Sequence, residues 1–136
     1  MSTLAVDEIT DTDGTGSPLF PNGFVLQASV VGTILTDATN TGSVVLDFAA
    51  NQNFVLTLTG NVTLANPTGA SVGQTGFIVF IQDGSGNRTV SLGTDFETAN
   101  GNGVVLSGAA SKTDVVPYIV IAANRILLGI PQLSFA

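Results

Sequence analysis

Short runs of β-branched and other apolar residues, separated by Gly and Asn, recur along the whole chain and constrain its fold more than any other feature. Such runs between turn-forming residues are typical of β-strands and their connections. Glutamate occurs twice and lysine once, so residues that favour surface helices are scarce. No stretch of helical length combines apolar spacing of three and four residues with caps at its ends. The pattern therefore predicts an all-β protein.

Strand-like runs lie at residues 24–31, 43–48, 53–64, 76–82, 88–92, 103–107, 114–122 and 125–130, with a terminal edge at 133–135. Gly60 interrupts the clearest run and predicts a bulge or tight turn. Gly-rich residues 83–87 predict a hairpin, and Asn124 predicts a second one. Pro117 is expected at a strand start, an edge or a bulge. Together these features predict an antiparallel, jelly-roll-like β-sandwich of about eight strands.

Residues 1–23 differ from the body at 24–136 because they carry two prolines, three glycines and four carboxylates but no cation. Proline restricts the chain to extended geometry and removes a ladder donor. The segment is nevertheless too apolar for a solvated tail, although a disordered leader is the alternative. We therefore expect an extended arm that becomes ordered on another polypeptide. Its assembly contacts would be Leu4, Val6, Ile9, Leu19 and Phe20, with Phe24 at the start of the body.

Charge is unusually sparse, with 10% charged residues and a net charge of -7. Lys112, Arg88 and Arg125 are the only cations, too few to bind nucleic acid or an anionic membrane surface. A chain with so little charge is expected to bury apolar surface against other chains. A weakly charged monomer covered by Ser, Thr and Asn is the alternative.

The sequence predicts neither catalysis nor a cofactor. Histidine and cysteine are absent, which excludes the common nucleophilic triads and thiolate metal sites. Asp95 and Glu97 share a face if extended, but their Gly-rich surroundings favour a solvated loop over a glycosidase pair. Asp11 and Asp13 begin an EF-hand-like spacing that lacks the final glutamate, so only a weak ion site is conceivable there.

Part of the body resembles a β module that recurs in virion proteins of tailed bacteriophages. The stretches LTLTGNVTLANPTG and GQTGFIVFIQDGSGNRTVSLGTDF carry the resemblance, and the opening VDEITDTDGTGSPLFPNGF is similar to segments that precede a β body in phage structural proteins. The matched positions in the body are Thr59–Leu64, Asn66, Pro67, Gly73, Gly76, Gln82, Asp83 and Arg88–Val90.

The resemblance implies a virion component without enzymatic activity, made in the bacterial cytoplasm. Fibre proteins commonly carry repeats and a receptor-binding tip, and the single body without repeats favours a capsid decoration (cement) protein that binds the major capsid protein as a homotrimer on the outer surface of the head. A tail-fibre or tail-associated subunit is the first alternative. A carbohydrate-binding or cell-adhesive β-sandwich is the second, although sugar sites usually need exposed aromatic residues and Tyr118 is expected in the core.

Overall fold

Eight strands and one short 3-10 turn, Ala99–Gly101, account for the regular structure of a computed structural model that describes residues 29–136. The all-β prediction and the predicted number of strands are confirmed. The strands are β1 Ile34–Val44, β2 Asn53–Leu64, β3 Thr75–Gln82, β4 Val90–Leu92, β5 Phe96–Thr98, β6 Thr113–Ala122, β7 Arg125–Leu128 and β8 Gln132–Phe135.

All eight strands belong to one mixed sheet in the order β1-β2-β3-β6-β7-β5, with β4 paired to β2 and β8 paired to β6. The pairs β1–β2, β2–β3, β2–β4 and β5–β7 are parallel, whereas β6 is antiparallel to β3, β7 and β8. The two antiparallel layers of the predicted jelly roll are replaced by this arrangement. The physical reason lies in residues 45–52 and 65–74, which carry the chain back so that the next strand starts at the same end as the previous one.

Residues that pair across the parallel strands form columns perpendicular to the strand direction. Val44 pairs with Leu64, which pairs with Leu92, so one apolar column crosses the three neighbouring strands β1, β2 and β4. A second column contains two buried amides, because Asn40 pairs with Leu58 and Leu58 with Gln82. The Asn40 side chain donates to the backbone carbonyl oxygen of Thr57 at 3.2 Å, so this polar group is satisfied inside the sheet.

The core lies on one face of the sheet and is closed by side chains from the connections between strands. Strand residues such as Leu56 and Phe80 alternate inward, and Phe48 from the β1–β2 connection packs against them. The Phe48 ring lies 5.0 Å from the rings of both Phe54 and Tyr118. Burial of these aromatic groups supplies much of the driving force for folding.

Glycine is required where two backbones approach closely. Gly60 marks the irregular register between β1 and β2 that the sequence predicted, and a side chain there would collide with Thr41. A side chain at Gly76 would collide with the Gln52 carbonyl oxygen and the Tyr118 hydroxyl. That hydroxyl donates to the same Gln52 oxygen at 2.6 Å, so Gly76 leaves room for a buried hydrogen bond.

Several local predictions change once the sheet is seen. The hairpin predicted at residues 83–87 is wrong, because β4 pairs in parallel with β2 and not with β3. The strand predicted at 103–107 is reduced to a single bridge between Val104 and Val90. β1 extends from Ile34, well before the predicted start at residue 43, because Asp37 and Asn40 mask its apolar pattern.

Other local predictions hold. The hairpin at Ala123 and Asn124 is confirmed by the antiparallel β6–β7 pair, and β8 supplies the terminal edge. Pro117 is an exception: it was predicted at a strand start, an edge or a bulge, but it lies in the interior of β6, between Val115, which pairs with β8, and Tyr118, which pairs with β7. It therefore occupies a gap where two partner strands meet, so the missing N–H costs little.

Gly32–Ala136 forms one compact unit. The predicted boundary between residues 23 and 24 lies outside the described residues and stays a prediction.

Candidate functional site

The most distinctive surface of the described residues is the side of the sheet that points away from the core, which we call the outer face. Alternation along each strand places every second residue there. Its side chains are largely apolar, although they are only partly covered. The apolar members are Val55 of β2, Phe77, Val79 and Ile81 of β3, Val115, Pro117, Ile119 and Ile121 of β6, and Leu127 of β7.

Register brings these residues together across neighbouring strands. Val79 pairs with Val55 on one side and with Val115 on the other, and Phe77 pairs with Pro117. Ile119 pairs with Leu127. Phe77 is 48% exposed and Ile119 is 41% exposed, which is unusual for large apolar side chains in the middle of a strand.

Charged groups near the outer face are neutralised within the chain. At the β7 margin, the Arg125 guanidinium donates to both carboxylate oxygens of Glu97, at 2.6 and 2.9 Å. The hydrogen bonds from Arg125 lower the pKa of Glu97, and the same contact raises the pKa of Arg125. Because both side chains are well exposed, we expect this pair to contribute little stability. Glu97 is one of the two carboxylates considered for a glycosidase pair, and both of its oxygens are engaged by Arg125.

The loop after β3 is a turn that is stabilised by side-chain hydrogen bonds and contains a second ion pair. Asp83 accepts hydrogen bonds from the backbone N–H groups of Ser85 and Gly86, at 3.0 and 2.9 Å. The Arg88 guanidinium donates to the other Asp83 oxygen at 2.8 Å, and this bond lowers the pKa of Asp83. The buried Gln82 amide exchanges two hydrogen bonds with the Arg88 backbone, at 2.8 and 2.9 Å. The turn therefore anchors the path from β3 to β4.

Two open clefts flank the loop at residues 99–103. One has a volume of about 640 Å³ and lies beside β4 and β5, with hydroxyl and amide groups from Ser91, Thr98 and Asn102. The other has a volume of about 470 Å³ and is more apolar, with Val105, Ile130 and Leu133 in its lining. The loop between them has left-handed backbone at Asn100, Gly101 and Gly103.

The polar cleft can offer hydrogen bonds to a polar ligand but has no aromatic platform on which a sugar ring could stack. Phe96 lines it, yet only 6% of Phe96 is exposed. Tyr118, as predicted, lies in the core at 4% exposure, and burial raises its pKa to about 12. Neither aromatic residue therefore supports a stacked sugar.

The predicted assembly residues cannot be placed, because Leu4, Val6, Ile9, Leu19, Phe20 and Phe24 all lie outside the described residues, as do Asp11 and Asp13. Asp95 and Glu97 lie on adjacent elements, but Glu97 is held by Arg125. Within residues 29–136, no group of three or more potential ligands is arranged to hold a metal ion. In the same range, no helix is long and apolar enough to cross a membrane.

Sequence reasoning expected apolar sheet faces to be buried against other chains, but it assigned no residues to such a face. Its signal was nevertheless present in GFIVFIQ and DVVPYIVIA, where apolar residues occupy both faces of one strand. The first run was interpreted only as a central strand. Both faces of such a strand are apolar, but the buried core contains only one of them, the side of Ile78 and Phe80.

A charge-poor, all-β chain whose described residues leave apolar side chains partly exposed on one sheet face is typical of proteins that act in assemblies. Comparison with protein families gives that class a source: a family described as "Putative phage tail fibre C-terminal domain" matches residues 34–121, well over half of the chain. The protein belongs to this family and is a phage structural protein, hence a virion component. Comparisons with curated proteins and with solved structures found no match.

Proposed function

We propose that this protein is a non-enzymatic structural subunit of a phage tail fibre, acting as a homotrimer. The family match over residues 34–121 carries the proposal, because it covers β1 to β6 and most of the core. The uncharged outer face and the scarcity of charge are consistent with a chain that functions in several copies.

Capsid decoration is the competing role, which the sequence alone favoured. Both roles need an all-β body and contact with other virion proteins, so the fold supports them equally. The family description supports the tail role over binding to the major capsid protein. A glycan-binding role would use the polar cleft at Ser91, Thr98 and Asn102, but that cleft lacks an exposed aromatic residue.

Location on the intact particle tests the proposal. Antibodies raised against the purified protein, carried on gold particles, would be imaged on native virions by electron microscopy. We expect label on the tail fibres and not on the head. Antibody preabsorbed with the purified protein is the control. Label spread over the head surface would favour decoration and refute the tail-fibre assignment.

The arm remains part of the proposal as an attachment element. We propose that residues 1–23 hold the subunit on a neighbouring virion protein through side chains such as Leu19 and Phe20. Particles would be assembled with the double variant Leu19→Ser, Phe20→Ser and washed, and bound protein would be measured by quantitative mass spectrometry. We expect reduced occupancy, whereas the variant Thr10→Ser should attach normally. Full occupancy of the double variant would contradict the attachment role.

A further inference from the structure

The outer face is large enough to be an interface. It extends across four neighbouring strands, β2, β3, β6 and β7. β7 contributes its four residues and each of the other three strands roughly seven, so strands about 4.8 Å apart with about 3.4 Å per residue give a flat footprint of roughly 400 Å². Side-chain relief raises this to about 500 Å² that each copy can bury, or about 1,000 Å² for every two copies. That area lies at the small end of specific protein interfaces.

Charge argues for a second copy as the occupant. The chain carries a net charge of -7, so two copies repel each other over most of their surfaces. The outer face has no unpaired charged side chain: Arg125 is neutralised by Glu97 at one margin, and Asp83 beyond β3 is neutralised by Arg88. Identical copies can therefore approach through this face without bringing like charges together. A basic partner would find no carboxylate here that is free to bind it.

Composition argues in the same direction. Thr57 and Thr113 flank Ile81 on the outer face and add two hydroxyl groups. Such polar groups are typical of the rim of an interface, where they can stay hydrated. Phe77 and Ile119 are the most exposed apolar side chains of the outer face and lie on adjacent strands. Large apolar side chains in the centre of such a patch are the residues that contribute most to association.

We propose that the outer face, centred on Phe77, Val79, Pro117 and Ile119, is the surface through which copies of this chain bind one another. The inference rests on the proposed function and deepens it, because in a homotrimer the outer faces of the three copies would meet around the three-fold axis. A lysine at Ile119 would place an unpaired charge in the contact, where losing its hydration is costly. The same substitution at Ile130, which is 82% exposed and outside the face, changes the net charge equally.

Sedimentation velocity of the full chain between 1 and 100 µM is the test. We expect the wild-type protein and Ile130→Lys to form the same multi-copy species. We expect Ile119→Lys to dissociate, with an apparent Kd at least tenfold higher. A wild-type protein that stays monomeric at 100 µM, or an Ile119→Lys variant that assembles like Ile130→Lys, would overturn the proposal.

A measurement on the wild-type chain covers the case in which Ile119→Lys fails to fold. Hydroxyl-radical footprinting should show that oxidation of Phe77 falls as the protein is concentrated, while oxidation of Val105, which is 71% exposed outside the face, stays constant. Protection of Phe77 that is already complete in a dilute monomer would show that residues 1–28 cover the face, and would refute self-association there. These outcomes are independent of where antibodies label the virion, so the proposed function and this inference can fail separately.

Discussion

Asp114 offers the sharpest test of how the C-terminal part of the sheet is held. Its carboxylate is fully buried at 0% exposure. It accepts hydrogen bonds from the Ser107 backbone N–H, the Ser107 hydroxyl and the Ser134 backbone N–H, at 2.7, 2.7 and 2.8 Å. One side chain on β6 therefore ties both the connection before β6 and the terminal strand β8. Replacing Asp114 with Ala should release both.

The magnitude follows from the donors left behind. Two buried backbone N–H groups lose their acceptor, at about 1–3 kcal/mol each. Burying the charged Asp114 carboxylate costs free energy in the wild type, and the absence of this cost in the variant offsets part of that loss. We expect Asp114→Ala to lower the free energy of unfolding by about 3 kcal/mol, balancing these terms. For a domain of this size the change corresponds to a fall in Tm of roughly 10 °C.

Urea unfolding of Asp114→Ala and wild type at one fixed protein concentration is the assay, because self-association makes stability depend on concentration. Asp47→Ala is the matched control. Asp47 also accepts two backbone N–H groups, from Ala49 and Ala50 at 3.0 and 3.3 Å, but it is exposed. Water can replace the lost acceptor there, so we expect a cost below about 1 kcal/mol.

Hydrogen exchange adds a local readout. The Ser107 and Ser134 amides should exchange faster in Asp114→Ala, whereas amides in the centre of β2 should change only in proportion to global stability. Equal costs for Asp114→Ala and Asp47→Ala would refute the argument that burial makes this carboxylate important. Unchanged exchange at both serine amides would show that the hydrogen bonds do not hold these segments.

Three further predictions follow from other buried or paired groups. Tyr118→Phe removes the hydroxyl that donates to the Gln52 carbonyl oxygen and should cost about 1–2 kcal/mol in urea unfolding; an unchanged midpoint would contradict it. Leu56→Ala opens a cavity in the core and should cost about 2–5 kcal/mol, and a cost below 1 kcal/mol would show that the site collapses freely. Because Arg88 lowers the folded-state pKa of Asp83 below 3.8, the pair stabilises the fold above that pH and loses its effect as the pH falls through the lowered value. The difference in unfolding midpoint between wild type and Arg88→Gln should therefore shrink as the pH falls from 5 through the lowered pKa of Asp83, and a difference that is constant with pH would refute it.

Local features of the fold were predictable where the signal is local. β2 runs from Asn53 to Leu64 as the alternation indicated, the Asn124 hairpin forms, and Tyr118 lies in the core. Each depends on the period of two along a strand or on one residue's turn preference. Pairing partners were not predictable in this way. Residues 83–87 have the composition of a hairpin loop, yet β4 continues past β3 and pairs with β2.

The candidate site shows the same division. All residues from Phe77 to Ile81 are apolar, so the sequence does not indicate which face of this strand will be buried in the core. The answer depends on Leu46 and Phe48 of the β1–β2 connection and on Phe96 of β5, which belong to the same buried core. Glu97 was a candidate acid until the structure brought Arg125, 28 residues away, to its carboxylate.

By itself, the sequence determined that this protein is a charge-poor β protein with more apolar side chains than one sheet face can bury, because composition and residue alternation act within each strand. Only the tertiary structure decided that the strands form one mixed sheet and that, among the described residues, apolar side chains remain partly exposed on its outer face. Strand partners depend on where the connections return the chain, and those connections are fixed by packing between residues far apart in sequence.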